Sequence, residues 1–333
     1  MAIHLFIDTN VYLKFYHFSN DDLEELNKLM VLLDNDKLEL YLPQQIVDEF
    51  FRNRDSKLAD ALKTFNQSKL NTPFPQFCKG YKEYDNLKRL IKEYDKEKQS
   101  LLKDLMLKIE TNTLRADKLI DMLFQKANYF ETTELLVNKS KLRYDLGNPP
   151  GKNKSYGDAV NWETLLENVE ESNDLYFIAD DKDYFSELDT SSFNTFLSNE
   201  WKRRKNSKIR FYKTLTDFFK EVFPEIKLAT ELEKDILISK LVDSSNFYTS
   251  RKILYKLSKF ESFSTEQANQ YVSASLNNSQ ILWICEDEDI NEYLYDFVEN
   301  NKDKIDPDLL SEFYNIIPNI KVPPPPPVPK NVT

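Results

Sequence analysis

The sequence predicts an α/β fold, and three observations carry that expectation. The apolar run His4–Ile7 ends at Asp8 and is followed by turn-forming Thr9 and Asn10; LELYLP at 38–43 leads into a helical pattern; and LYFIA at 175–179 has the density of a buried strand. Strands alternating with helical patterns assemble into α/β units.

The elements follow in order. His4–Ile7 is the first strand, and Val11–Phe15 continues as an apolar run after the turn. Asp22 is placed to cap a helix carrying Leu26, Leu29, Met30 and Leu33 at helical spacing. Residues 38–42 form the second strand, and Pro43 suits the first position of a helix bearing Ile46, Val47, Glu49 and Phe50. From about 50 to 137 the chain reads as charged, amphipathic helix, interrupted by NTPFPQFCKG at 71–80, and suits an inserted helical arm better than a long coiled coil. Residues 138–157 read as a Gly/Pro/Lys loop, 158–169 as helix, 193–197 as a short strand and 207–222 as an amphipathic helix. The first domain therefore spans 1–224, with its insertion at about 52–137. Residues 225–320 read as a helical accessory domain, in which Ser264 and Gln267 have capping-box spacing. The run EDED at 286–289 reads as a solvated face, and VPPPPPVPK within the tail 321–333 as exposed polyproline.

Composition bounds the function. A chain of 333 residues with 41% hydrophobic content supports a sizeable core, and a net charge of −11 argues against a generally basic nucleic-acid coat. Local basic segments remain compatible with phosphate. Cys78 and Cys285 are far apart, form neither a zinc pattern nor a disulfide framework, and are expected as buried thiols. The opening MAIHLFIDTN lacks the features of a signal peptide, and no run of about 18 apolar residues follows, so a soluble cytoplasmic protein without membrane contact is the simplest expectation. Only four glycines occur, and three of them, Gly147, Gly151 and Gly157, fall beside Pro149 and Pro150, which marks a shaped loop.

Four acids occur where elements can converge: Asp8, Glu49, Asp158 and Asp181. Open α/β sheets place sites beyond the carboxyl ends of their strands, so Asp8 and Asp181 can meet despite their separation. Mutually repelling carboxylates call for protons or cations, and hard oxygen donors suit Mg²⁺ or Mn²⁺. The bland alternative is that these acids cap helices or sit in solvated turns.

FIDTNVYL at 6–13, QQIVDEF at 44–50, SYGDAVNWETLL at 155–166 and LYFIADDKDYF at 175–185 resemble, in order, the acidic motifs of PIN-domain nucleases. A PPGKN-type loop before the GDA-containing helix is similar to a bacterial PIN-like group, and Ala179 stands where Ser or Thr is common. The resemblance implies a PIN-like three-layer α/β/α sandwich with a mainly parallel central sheet, a helical insertion and a C-terminal helical domain. It also implies metal-dependent cleavage of RNA, or of DNA in some members. Carried over by residue, it selects Asp8, Glu49, Asp158 and Asp181 as catalytic metal ligands for one or two Mg²⁺ or Mn²⁺ ions, with Asp183 as a further metal candidate.

Substrate-binding candidates are Asn10, then Arg143, Lys152 and Lys154 in the loop before Asp158, and Arg203, Arg204 and Lys205 in the basic stretch WKRRKNSKIRFYK. Tyr144 and Tyr156 either stack on a base or anchor the loop. The leading expectation is a metal-dependent endoribonuclease serving as a toxin or defence effector, with RNA as its partner and, beside it, a regulatory protein or a second copy. A DNA-directed nuclease and a catalytically inactive RNA-binding protein are the alternatives.

Overall fold

The computed structural model describes residues 2–17, 23–68, 70, 73–151, 156–224, 226 and 228–320. Asp22, Lys152, Lys154 and the polyproline tail therefore lie outside the described residues. The chain divides into two compact units, Met1–Lys227 and Leu228–Thr333.

The first unit runs β1 (Ile3–Ile7), α1 (Thr9–Lys14), α2 (Leu23–Asp34), β2 (Leu38–Pro43), α3 (Gln44–Gln67), α4 (Lys82–Glu110), α5 (Arg115–Lys126), β3 (Asn128–Phe130), α6 (Glu134–Asp145), α7 (Gly157–Asn168), β4 (Leu175–Ile178), α8 (Thr195–Lys205), β5 (Ile209–Tyr212) and α9 (Leu215–Val222). Its sheet is parallel throughout, with strand order β3-β2-β1-β4-β5. Successive strand residues point to opposite faces, yet Leu5, Phe6 and Ile7 are all buried, so helices cover both faces and the fold is the expected α/β/α sandwich. In one group α7 packs against α3, α6 and α8; in another α2 packs against α5 and α9.

The register sets the site. Ile7 pairs with Ile178, the Asp8 N–H donates to the Ile178 carbonyl at 2.8 Å, and Ala179 N–H donates to Tyr212 at 3.1 Å. The chain thus leaves β1 and β4 at the same level, side by side at the centre of the sheet. Beneath this edge, Trp162, Phe177, Tyr184, Phe193 and Phe211 form an aromatic core with neighbouring centroids such as Phe177–Tyr184 at 4.8 Å.

Several local expectations are corrected. Residues 193–197 are not a strand: only Phe193 bridges, to Phe185, and the Asn194 side chain accepts from Phe196 and Leu197 N–H groups, which starts α8. That cap outweighs the β preference of two phenylalanines. The helix expected over 207–222 is instead β5 followed by α9, because IRFY pairs with β4 and Thr214 caps the helix by accepting from Asp217 N–H. The loop expected from residue 138 is helical to Asp145, where Gly147 takes φ +70° and its N–H closes α6 on the Tyr144 carbonyl. Edge strand β3, only three residues long, was too short to leave a sequence pattern.

The insertion between β2 and β3 is clamped where it leaves the body. Arg54 on α3 grips Asp117 on α5 with two hydrogen bonds of 2.8 and 2.7 Å, and the Tyr16 hydroxyl donates to the same carboxylate at 2.5 Å. All three residues are buried.

The second unit contains α10 (Ala229–Val242), α11 (Phe247–Leu257), α12 (Thr265–Asn277), α13 (Ser279–Ile284), α14 (Glu288–Asn300) and α15 (Pro307–Ile316). Its own core gathers Leu254, Tyr271, Ile281, Leu294, Val298 and Phe313. Ser264 and Gln267 form the expected capping box. Cys285 is buried, as expected, whereas Cys78 is half-buried and not a core thiol. Among the described residues no helix is long and apolar enough to cross a membrane.

Candidate active site

Asp8 follows the last residue of β1 and caps α1, its side chain accepting the Asn10 N–H at 3.3 Å. Its proximity to β4 comes directly from the β1–β4 register. Asp181 lies just past β4, and the Asn10 side-chain amide donates to it at 3.4 Å, joining the first and last acidic motifs. Asp181 also accepts the Asp183 N–H at 2.9 Å, which shapes the turn after the strand. Asp158 sits in the first turn of α7, and Glu49 in the second turn of α3, on the helix that β2 feeds.

Electrostatics shows that these four carboxylates share one neighbourhood. Burial, then the negative charges of Asp158, Glu49 and Asp181, hold the Asp8 carboxyl well above the usual range. Burial and the charges of Asp181, Glu49 and Asp183 push Asp158 up to about 7, while the Tyr184 hydroxyl, donating at 3.2 Å, opposes the rise. Burial also raises Glu49, against the Arg52 charge and the Gln45 and Thr9 side chains. Such a cluster is stable only when protonated or neutralised by cations.

The donor set is all oxygen, the chemistry that suits a hard divalent cation, and burial with neighbouring negative charge raises Asp8, Glu49 and Asp158. The buried Tyr12 hydroxyl and both polar atoms of Asn161, one turn beyond Asp158 on α7, have no hydrogen-bond partner among the described residues. Among those residues, no group of three or more His, Cys, Asp and Glu is placed to hold a metal ion. A Cβ at Gly157 would meet the far end of the Gln45 side chain at 2.6 Å, so a larger residue there would require that side chain to move.

The remaining candidates separate into three groups. Asn10 and Asp183 lie in the cluster, but Asp183 accepts the Gly151 N–H at 3.2 Å and so ties the Gly/Pro loop to the turn after β4. Gly151 holds φ +122°, a conformation that side chains rarely adopt. Tyr144 and Tyr156 pack edge to face at 5.1 Å, which is the loop-anchoring role.

Arg143 and Lys205 are corrections. Arg143 is 6% exposed and bonds Glu163 and Glu200 at 2.7 Å each and the Pro149 carbonyl at 2.6 Å, so its guanidinium is occupied in the interior rather than open to phosphate. Lys205 is also buried, and its ammonium donates to the Val169 carbonyl. Arg203 and Arg204 are exposed, but they lie in the last turn of α8, which leads into the amino end of β5. Asp8 and Asp181 follow the carboxyl ends of strands parallel to it, so this basic stretch is at the opposite end of the sheet from them.

Sequence reasoning missed Tyr184, whose ring is fully buried and whose hydroxyl faces Asp158. Its signal was the aromatic position in DDKDYF, three residues after Asp181. Gln45 was missed too, since an exposed-looking glutamine one turn before Glu49 has no distinctive pattern. Asp180, the neighbour of Asp181, pairs with Lys14 at 2.6 Å.

A family model described as a PIN domain matches residues 5–184. No curated protein and no solved structure matches the chain.

Proposed function

Because the chain belongs to the PIN-domain family, whose members are generally nucleases that use divalent metals, we propose that it is a Mg²⁺- or Mn²⁺-dependent endoribonuclease. The observation that carries this reading is the convergence of Asp8, Glu49, Asp158 and Asp181 near the carboxyl edge of β1 and β4, where burial and neighbouring negative charge raise the proton affinity of Asp8, Glu49 and Asp158. A single acid at a helix start would be a cap; four gathered in one neighbourhood would draw a hard cation among them.

Asp8, Glu49, Asp158 and Asp181 would hold one or two ions, with Asp183 at the margin. A bound divalent ion supplies Lewis acidity, which lowers the pKa of water and stabilises charge on the leaving oxygen. The protein's own groups do the positioning. Asn10 fixes the Asp181 carboxylate, Tyr184 orients Asp158, and Gln45 steadies Glu49. The loop 147–151, held by Arg143 and Asp183, frames the approach to the cluster and carries Lys152 and Lys154 in its continuation. Those two lysines and Asn10 are the phosphate-side groups of this reading. The helical insertion and C-terminal region fit the bacterial PIN-like subgroup, and a role as a toxin or defence effector accords with such an enlarged nuclease.

The test is cleavage of single-stranded and structured RNA, and of DNA in parallel, by the wild type and by Asp8→Asn and Asp181→Asn with added Mn²⁺ or Mg²⁺. RNA cleavage that falls by roughly 10²-fold in both variants supports the proposal. Preferential DNA hydrolysis replaces the substrate, and RNA binding without cleavage, indifferent to both substitutions, replaces the activity.

A further inference from the structure

The second unit carries an aromatic surface outside the acidic cluster. Trp283 is 79% exposed and stacks on Phe247 with centroids 6.4 Å apart, while Tyr248 beside it is 76% exposed. The other two tryptophans, Trp162 and Trp201, are completely buried. On α13, Ile281 and Ile284 enter the core, so Trp283 is left on the outer side of a helix that is otherwise well packed. A paired indole and phenyl ring open to water form a flat apolar platform of the kind that takes a ligand.

Two neighbours of the platform define that ligand. The first is the exposed run Glu286–Asp289, directly after α13; Arg251 pairs with Asp287 and Asp289, leaving Glu286 and Glu288 to add net negative charge. The second is the point at which the described chain ends. The Asn291 side-chain amide donates to both the Cys285 and the Pro318 carbonyls at 2.8 Å, and the Tyr295 hydroxyl donates to the Ile317 carbonyl at 2.8 Å. Two carbonyls bonded to one amide nitrogen are neighbours, so the chain leaves the unit beside Cys285, two residues after Trp283. The sequence then continues Lys321-VPPPPPVP-Lys330.

We propose that Trp283 and Phe247 form a docking surface for the chain's own residues 322–329, with the proline rings on the aromatic faces and the flanking Lys321 drawn to the 286–289 acids. Polyproline segments suit aromatic platforms because little conformational entropy remains to be lost on docking. The segment begins four residues after Pro318, whose carbonyl shares the Asn291 amide with that of Cys285. The same acidic run opposes a nucleic-acid occupant, whose phosphates it repels.

The experiment compares the wild-type chain with a full-length variant in which Pro323, Pro324, Pro325, Pro326 and Pro327 are all serine. Tryptophan fluorescence quenching by acrylamide reports Trp283, the exposed indole. The variant is expected to roughly double the quenching constant, and a synthetic peptide of residues 321–330 is expected to reverse this saturably, less well at high salt and not at all with Phe247→Ala. Equal quenching in wild type and variant, together with no response to the peptide, overturns the proposal. Shielding that increases with protein concentration overturns docking within one chain in favour of a second copy, and shielding by an RNA oligomer but not by the peptide overturns the choice of ligand.

Discussion

Arg143 and Glu200 meet at 2.7 Å although 57 residues separate them, and the other Glu200 oxygen accepts the Trp162 indole N–H at 2.8 Å. Glu163 completes the cage, and the remaining guanidinium nitrogen holds the Pro149 carbonyl. α6, α7, α8 and the loop before the Asp158 helix are thereby fastened to one cation.

Replacing Arg143 with methionine therefore strands two buried carboxylates. The expected cost is about 3–5 kcal/mol of stability, read as a lower urea midpoint with an unchanged slope. Arg143→Lys keeps the charge but not the fork, and is expected to recover only part of the loss. A midpoint unaltered in Arg143→Met would remove the structural role assigned here.

Tyr184→Phe deletes the hydroxyl that opposes the rise of the Asp158 pKa. The fold is expected to persist at a cost of about 1 kcal/mol for one lost hydrogen bond. Asp158 then holds its proton to higher pH, so its carboxyl titration in the metal-free protein, followed by NMR, moves upward. A titration in the wild-type position, or one shifted to lower pH, contradicts the contact.

Asp158 also imposes a pH dependence on stability without divalent metal. Its folded pKa of about 7 lies above the ordinary 3.8, so the folded state binds the extra proton. The associated stability is full below about pH 4 and is lost as pH rises through about 7. Asp158→Asn is expected to flatten that decline and to stabilise the metal-free protein at pH 8 by on the order of 2–4 kcal/mol. Thermal unfolding across pH 4–8 checks the sign, and a parallel decline in both proteins would refute it.

Arg203→Ala with Arg204→Ala removes two exposed charges from the end of the sheet opposite the acids. Cleavage of a short RNA is expected to stay within about twofold of wild type, because a distant surface charge acts weakly through salt. A large rise in KM for that RNA would place the substrate track along α8 instead.

The sheet order and the site were legible to different degrees. Strands β1, β2 and β4 showed as continuous apolar runs because a parallel sheet covered on both faces needs apolar residues at every position. Strand β5 did not, since Arg210 and the flanking lysines hide its pairing among charges. The four acids were readable because Asp8, Asp158 and Asp181 stand next to element ends and Glu49 lies in the second turn of α3, directly after β2, and the geometry brings them into one neighbourhood. Arg143 and Lys205 misled because charge in a sequence suggests solvent, whereas here burial is repaid by Glu163, Glu200 and backbone carbonyls that lie far along the chain. Only tertiary structure tells a free cation from a tied one.

The Arg54–Asp117 clamp has a consequence for how this protein can vary. It closes a loop whose two ends are 63 residues apart and sets both ends in the body of the first unit. The entropy of closing such a loop grows only logarithmically, about 0.6 kcal/mol for each doubling of its length. Descendants of this chain can thus lengthen, shorten or exchange the α4 arm while the strand register that brings Asp8 beside Asp181 stays untouched. Diversity in the arm and constancy at the acids are compatible because one buried ion pair separates them.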